Sequence, residues 1–218
     1  MKHLLVLTFL LIGLELFSES DSTIIKFSGV DNRDLMEITE LLDIQLLNIT
    51  CDDTLVRGRR FFISFSEYKN GNIIKQDTSY SYCKEETIPI QMGDNIANMI
   101  VNLCDKITFS ATDNHYEIKL IGKLNDKDSF KLNIRHPGLG YSVVLKGDYS
   151  LRPVNSCTNR NELKVPINKK VPIVTYAPPV KAVSGRLSSY CIQGEEDVES
   201  WFKTFKMKHY YVIYLRIQ

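Results

Sequence analysis

The 218-residue sequence predicts an α+β, mostly antiparallel β fold: a two-layer sheet or sandwich with about three short helices. Three observations predict it. Runs of apolar–polar alternation recur, with Phe61, Ile63 and Phe65 on one face against Ser64 and Ser66, and Phe130, Leu132 and Ile134 spaced likewise; a two-residue period marks a strand with one covered face. The joints between such runs are turn chemistry, at Asn70-Gly71, Asp113-Asn114, Asn125 to Asp128 and Pro137 to Gly140. Three segments carry the spacing of an amphipathic helix.

The chain begins with Met1-Lys2-His3, an apolar run from Leu4 to Leu14, and Ser18-Glu19-Ser20. These are the three parts of a secretory signal peptide, so residues 1–20 are read as a signal with cleavage before Asp21, and residues 21–218 as a single secreted, extracellular β-rich domain. A helix is expected from Asn32 to Asp43, where Leu35, Ile38, Leu41 and Leu42 share a face and Asp31 or Asn32 offers a cap. Ile44 to Cys51 reads as a strand. Arg59 to Lys69 and Ile73 to Tyr82 form a hairpin about Asn70-Gly71, with Lys69 opposite Asn72 and Phe61 opposite Tyr80.

A second helix is expected after Asp94, on the spacing of Ile96, Met99, Ile100 and Leu103. A meander of four strands follows: Ile107 to Thr112, His115 to Leu124, Ser129 to Arg135 and Tyr141 to Leu151. Residues 152–184 hold five of the seven prolines, and proline is excluded from central strands. That stretch is read as one or two edge strands wrapped over the body, and as a possible sub-boundary. A third helix has Glu195, Glu196 and Asp197 at its start, Lys203, Lys206 and Lys208 near its end, and a face of Val198, Trp201, Phe202 and Phe205. His209 to Ile217 is the last strand. A helix followed by a four-strand meander is similar to the order of cystatin-like folds; the Q-x-V-x-G loop of that family is missing, and its function does not carry over.

An oxidising compartment gives the five cysteines, Cys51, Cys83, Cys104, Cys157 and Cys191, a covalent role. Fifteen arrangements leave one thiol over. Chain locality favours Cys51 with Cys83 and Cys157 with Cys191, loops whose closure is worth roughly 3–4 kcal/mol each in the chain-entropy model. Cys104 is then the odd thiol, open to a covalent dimer if exposed. Asn48-Ile49-Thr50 is a glycosylation sequon that needs Asn48 to face water, and Asn155-Ser156-Cys157 is the weaker Cys-type variant.

Removing Lys2, Glu15 and Glu19 with the signal takes the formal charge from +1 to +2. So balanced a chain lacks the basic excess of a dedicated nucleic-acid binder, and no later segment has the ~20 apolar residues of a membrane-spanning helix. No metal or other cofactor is expected: no two cysteines stand two to four residues apart, and no histidine pair has ligand spacing. The histidines His115, His136 and His209 lie in no catalytic motif. Adjacent acids such as Asp52-Asp53, Glu85-Glu86 and Glu195-Glu196 read as turns and helix starts rather than a glycosidase pair.

Two surfaces are candidates for binding. Arg57-Gly58-Arg59-Arg60 matches the tetrad read by secretory processing proteases, and its guanidinium groups suit an acidic partner or a sulfated glycan. Trp201, Phe202 and Phe205 form an aromatic stripe, either core or an anchor for a protein partner. The leading expectation is a secreted, non-enzymatic protein-binding module acting on an extracellular partner. The alternatives are a carrier of lipid or another apolar ligand and, behind it, a secreted hydrolase.

Overall fold

In the computed structural model, which describes residues 21–78, 85–92, 95–102, 114–126, 128–136, 139–154, 161–178 and 198–218, the alternating runs become strands of two antiparallel sheets. The larger has the order β11 (Glu162–Pro166), β1 (Ser22–Ser28), β2 (Ile44–Asp52), β7 (His115–Asp126), β8 (Ser129–His136) and β9 (Leu139–Lys146). The smaller has the order β10 (Ser150–Pro153), β12 (Lys170–Ala177), β13 (His209–Ile217), β3 (Phe61–Lys69) and β4 (Asn72–Thr78). A separate hairpin pairs β5 (Glu85–Met92) with β6 (Asn95–Asn102).

The two sheets share one core, because each presents an unbroken apolar face to the other. Ile25, Ile49, Ile118, Leu120, Leu132 and Ile134 of the larger sheet meet Phe61, Ile63, Phe65, Ile213 and Leu215 of the smaller. Two ring stacks bridge the layers: Phe61 on Tyr116 at 3.8 Å between centroids, and Phe130 on Tyr176 at 4.4 Å. Such offset aromatic pairs add roughly 0.5–1.5 kcal/mol each beyond the area they bury. The outer face of the smaller sheet has its own cover. There Tyr68, Val154, Ala177, Tyr210 and Val212 pack under Val198, Trp201 and Met207, carried by a 3-10 turn (Val198–Ser200) and a short helix α2 (Trp201–Phe205).

The first helix, α1 (Arg33–Leu41), forms where expected, and its cap is Asn32, whose Oδ1 accepts the Leu35 N–H at 3.0 Å. The Asn70-Gly71 turn also forms, with φ of 51° and 82° that suit those two residue types and with Lys69 opposite Asn72. The expected partner of Phe61, Tyr80, lies outside the described residues, as do residues 1–20 and the strand expected at 107–112.

Four expectations are corrected. Residues 95–102 are strand, paired in register from Glu85↔Asn102 to Met92↔Asn95; their apolar residues fit both periods, and β-branched Ile96, Ile100 and Val101 beside a partner strand favour the extended one. The helix-then-meander order of cystatin-like folds is lost with it. The last helix is a single turn and a half, because Lys206 adopts the left-handed conformation at φ 58° and turns the chain into β13. The single strand expected from Tyr141 to Leu151 is two: Gly147, at φ 96°, breaks it, so β9 stays in the larger sheet while β10 crosses to the smaller. Gln45 holds this crossing through its side-chain amide, donating to the Tyr149 carbonyl at 3.1 Å and accepting the Leu151 N–H at 2.6 Å.

The proline-rich stretch differs most. β10 and β11 are edge strands, but β12 lies between β10 and β13 despite Pro172. The register with β13 shifts between Pro172 and Val174, so the residue without an N–H sits at a bulge where the ladder already skips a pairing. Among the described residues no helix is long and apolar enough to cross a membrane.

Candidate functional site

β3 and β13 are neighbours with Glu67 directly opposite Tyr211 and His209 opposite Lys69. The inward face of β3 is apolar at Phe61, Ile63 and Phe65 and ends on Glu67; that of β13 is apolar from Ile217 back to Ile213 and ends on Tyr211 and His209. One end of the sandwich therefore gathers polar groups. His209 Nε2 lies 2.9 Å from Glu67 Oε1, and His209 Nδ1 lies 3.2 Å from the Tyr149 hydroxyl. With Glu67 ionised, Nε2–H donates to the carboxylate and the bare Nδ1 accepts the phenol proton, giving a carboxylate–imidazole–phenol chain.

Tyr149 reaches this position because the chain folds back at Gly147. A Cβ at residue 147 would stand 2.5 Å from the Tyr149 ring, so that close approach requires glycine. Tyr176 and Tyr211 complete the cluster: Tyr176 accepts the Tyr149 N–H and donates to the Gly147 carbonyl, and Tyr211 accepts the Lys146 N–H. Burial pushes the Tyr176 phenol up to about 12, raises Tyr211 further, and, with the charge of Asp128, raises Tyr149.

Beside the chain lies an open cleft of about 460 Å³ lined by Tyr149, Pro178, Phe205, Lys206, Met207, Lys208 and His209. A shallower depression of about 420 Å³ at the other candidate histidine is lined by Asp52, Asp53, Thr54, Asn114 and His115. There His115 Nδ1 is 2.6 Å from Asp52, and the Leu55 N–H and Thr23 hydroxyl hold the Asp53 carboxyl below its usual range. His136 is in neither. It is buried against Tyr116, whose hydroxyl is 3.1 Å from its Nδ1, and burial lowers its pKa to about 4.

The arginine tetrad forms the loop between β2 and β3. Arg57 is exposed at the end of a 3-10 turn (Thr54–Val56); Arg59 donates its Nε–H to the Leu55 carbonyl at 2.6 Å and approaches Asp21 at 3.9 Å; the Arg60 backbone exchanges two hydrogen bonds with Gln218. The guanidinium of Arg59 is thus engaged within the chain. Trp201 is 0% exposed within the second core, its ring tilted 38° to that of Tyr210, so of its two expected roles it takes that of core rather than of exposed anchor. Phe202 and Phe205 are half-buried, Phe202 against Gly71 and Phe205 in the cleft wall.

Asn48 lies on the outer side of β2, half-buried, with its side-chain Oδ1 shielded from solvent, whereas a sugar needs that side chain in water. Cys51 is a buried free thiol turned into the core, 3.3 Å from the Thr23 hydroxyl, and burial pushes its pKa up. Its expected partner Cys83 lies outside the described residues, as do Cys104, Cys157 and Cys191. Among the described residues no group of His, Cys, Asp and Glu is arranged to hold a metal ion.

The second candidate surface is α1. Its apolar residues Leu35, Met36, Ile38, Leu41 and Leu42 are all exposed, Leu41 to 83%, and Thr39 is the one buried residue of the helix. Around them stand Asp31, Asp34, Glu37, Glu40 and Asp43, all exposed, with Arg33 paired to Glu37 at 3.2 Å. Sequence reasoning found this helix but not that its apolar side chains are exposed. It weighed His209 only as a histidine outside any catalytic motif and missed Glu67 and Tyr149; the available signal was an acid and a base each closing an otherwise apolar strand face.

Compared with known proteins, the chain matches no family model, no curated protein and no solved structure.

Proposed function

We propose that the chain is a secreted, non-enzymatic protein-binding module that docks an extracellular partner through α1. One observation carries the reading: Leu35, Met36, Ile38 and Leu41 of a capped helix, with Leu42 at its C-cap, are 43–83% exposed, and the described core of the sandwich is built without them. A helix that holds its shape but leaves its apolar stripe open suits insertion into a groove on another protein. The acids framing the stripe commit the partner to a groove with a basic rim. They also repel a second copy of the same face.

The titratable groups support binding over catalysis. The Glu67–His209–Tyr149 chain resembles a nucleophile with its base, but burial and the charge of Asp128 raise the Tyr149 pKa and so disfavour its phenolate. His115 pairs with Asp52 in an open depression that, among the described residues, is lined by no serine or cysteine. The cleft beside α2 favours a second reading, a carrier of an apolar ligand, since its volume falls in the range of small-ligand sites.

The test is saturation binding of fluorescently labelled protein to a panel of cultured eukaryotic cells, with and without surface proteolysis. The expected result is saturable, protease-sensitive binding that weakens at least about tenfold in the Ile38→Glu/Leu41→Glu double variant while its melting temperature is unchanged. Binding that survives proteolysis, or that the double variant retains, removes α1 as the docking face.

A further inference from the structure

We propose that the cleft between α2, the start of β13 and the Gly147–Tyr149 turn is a site for a small amphipathic anion, an organic carboxylate with an apolar tail. This rests on the carrier reading and names the ligand class. The walls divide by chemistry. Phe205, Met207 and Pro178 offer an apolar surface, and the hydroxyl of Tyr149 and the ring of His209 form the polar end. Among the described residues, the full charges in the lining are Lys206 and Lys208, both exposed and neither in an ion pair with a described carboxylate.

Among the described residues, the carboxylates near the cleft are turned to other groups. Glu67 stands behind His209 and is engaged by its Nε2–H, and Asp128 acts on Tyr149 from outside the lining. Two exposed ammonium groups beside an apolar wall complement a ligand with one anionic end and one apolar end.

Backbone geometry supports a built site. Lys206 occupies the left-handed region at φ 58°, where glycine is the ordinary choice after a helix, so a long cation is kept at a position that strains it. On the opposite wall the Tyr149 ring is fixed by three contacts: it lies over Gly147, bonds His209, and sits at an edge-on angle of 61° to the imidazole. Both walls are therefore held before a ligand arrives, which lowers the ordering cost of binding.

The experiment is isothermal titration of the full secreted chain with octanoate and, separately, with 1-octanol, which shares the tail without the charge. Octanoate is expected to saturate one site and to bind at least about tenfold more tightly than the alcohol. A Lys206→Asn/Lys208→Gln double variant should lose that advantage while binding the alcohol as before; both lysines are exposed, and an unchanged melting temperature confirms folding. Equal affinity for acid and alcohol overturns the anionic class while leaving the carrier reading intact. Binding of neither overturns both, and octanoate binding indifferent to the double variant places any ligand outside this cleft.

Discussion

Gly122 shows how far one residue's size can matter. It lies buried in the middle of β7, opposite Leu132, and the ring of Phe130 crosses it so closely that a Cβ there would stand 2.0 Å from the ring's tip. Phe130 cannot swing clear, since it is fully buried and stacked on Tyr176. Gly122→Ala is therefore expected to destabilise by about 1–3 kcal/mol, read as a lower urea midpoint at unchanged slope. His136 supplies a second residue-scale prediction. Its folded pKa of about 4 lies below the ordinary 6.5, so on acidification the unfolded chain takes up this proton first. The stability it contributes is complete above about pH 6.5 and is lost progressively as pH falls towards 4, by roughly 3 kcal/mol in all. In His136→Gln the melting temperature should fall less steeply over that window; an identical slope would place the acid sensitivity elsewhere.

At the scale of elements, local chemistry was legible and partner choice was not. The Asn32 cap, the Asn70-Gly71 turn and the bounds of β13 at His209 and Ile217 could be read directly, because each depends on neighbours within a few residues. β6 reads as a helix because Ile96, Met99 and Ile100 satisfy a helical spacing, yet Ala97, Met99 and Val101 satisfy an extended one, and what decides is β5 alongside. β12 was misread for a related reason. Proline argues against a central strand unless a bulge absorbs it, and the bulge at Pro172 exists only in the pairing with β13. For the candidate site, the lysines and Phe205 were visible as part of a helix, but their meeting with Tyr149 depends on the sheet crossing at Gly147.

Apart from the β5–β6 hairpin, the described residues form a sandwich with a second, smaller core laid on its outer face, and β13 belongs to both cores. Tyr211, Ile213 and Leu215 point into the sandwich, while Tyr210 and Val212 hold Trp201 and Met207 outside. Unfolding of either core should therefore carry the other with it. The chain has a single tryptophan, so its fluorescence reports the outer core alone. The expected result is one urea transition, with Trp201 fluorescence and far-ultraviolet circular dichroism sharing a midpoint. An earlier fluorescence transition would mean that α2 detaches while the sandwich persists.

By itself the sequence determined that this is a chain of strands with few helices, where the tight hairpin turns, and which residues of most strands face inward, since alternation, caps and turn residues act over a span of two to four positions. Only the tertiary structure decided which strands lie side by side, that the apolar stripe of α1 stays open, and that Trp201 is core. It also decided that Glu67 and His209, 142 residues apart, form a hydrogen-bonded pair at the wall of a cleft. The physical reason is that burial belongs to neighbours in space: a side chain's period announces that it needs a cover, and the packed molecule alone determines whether and by what it is covered.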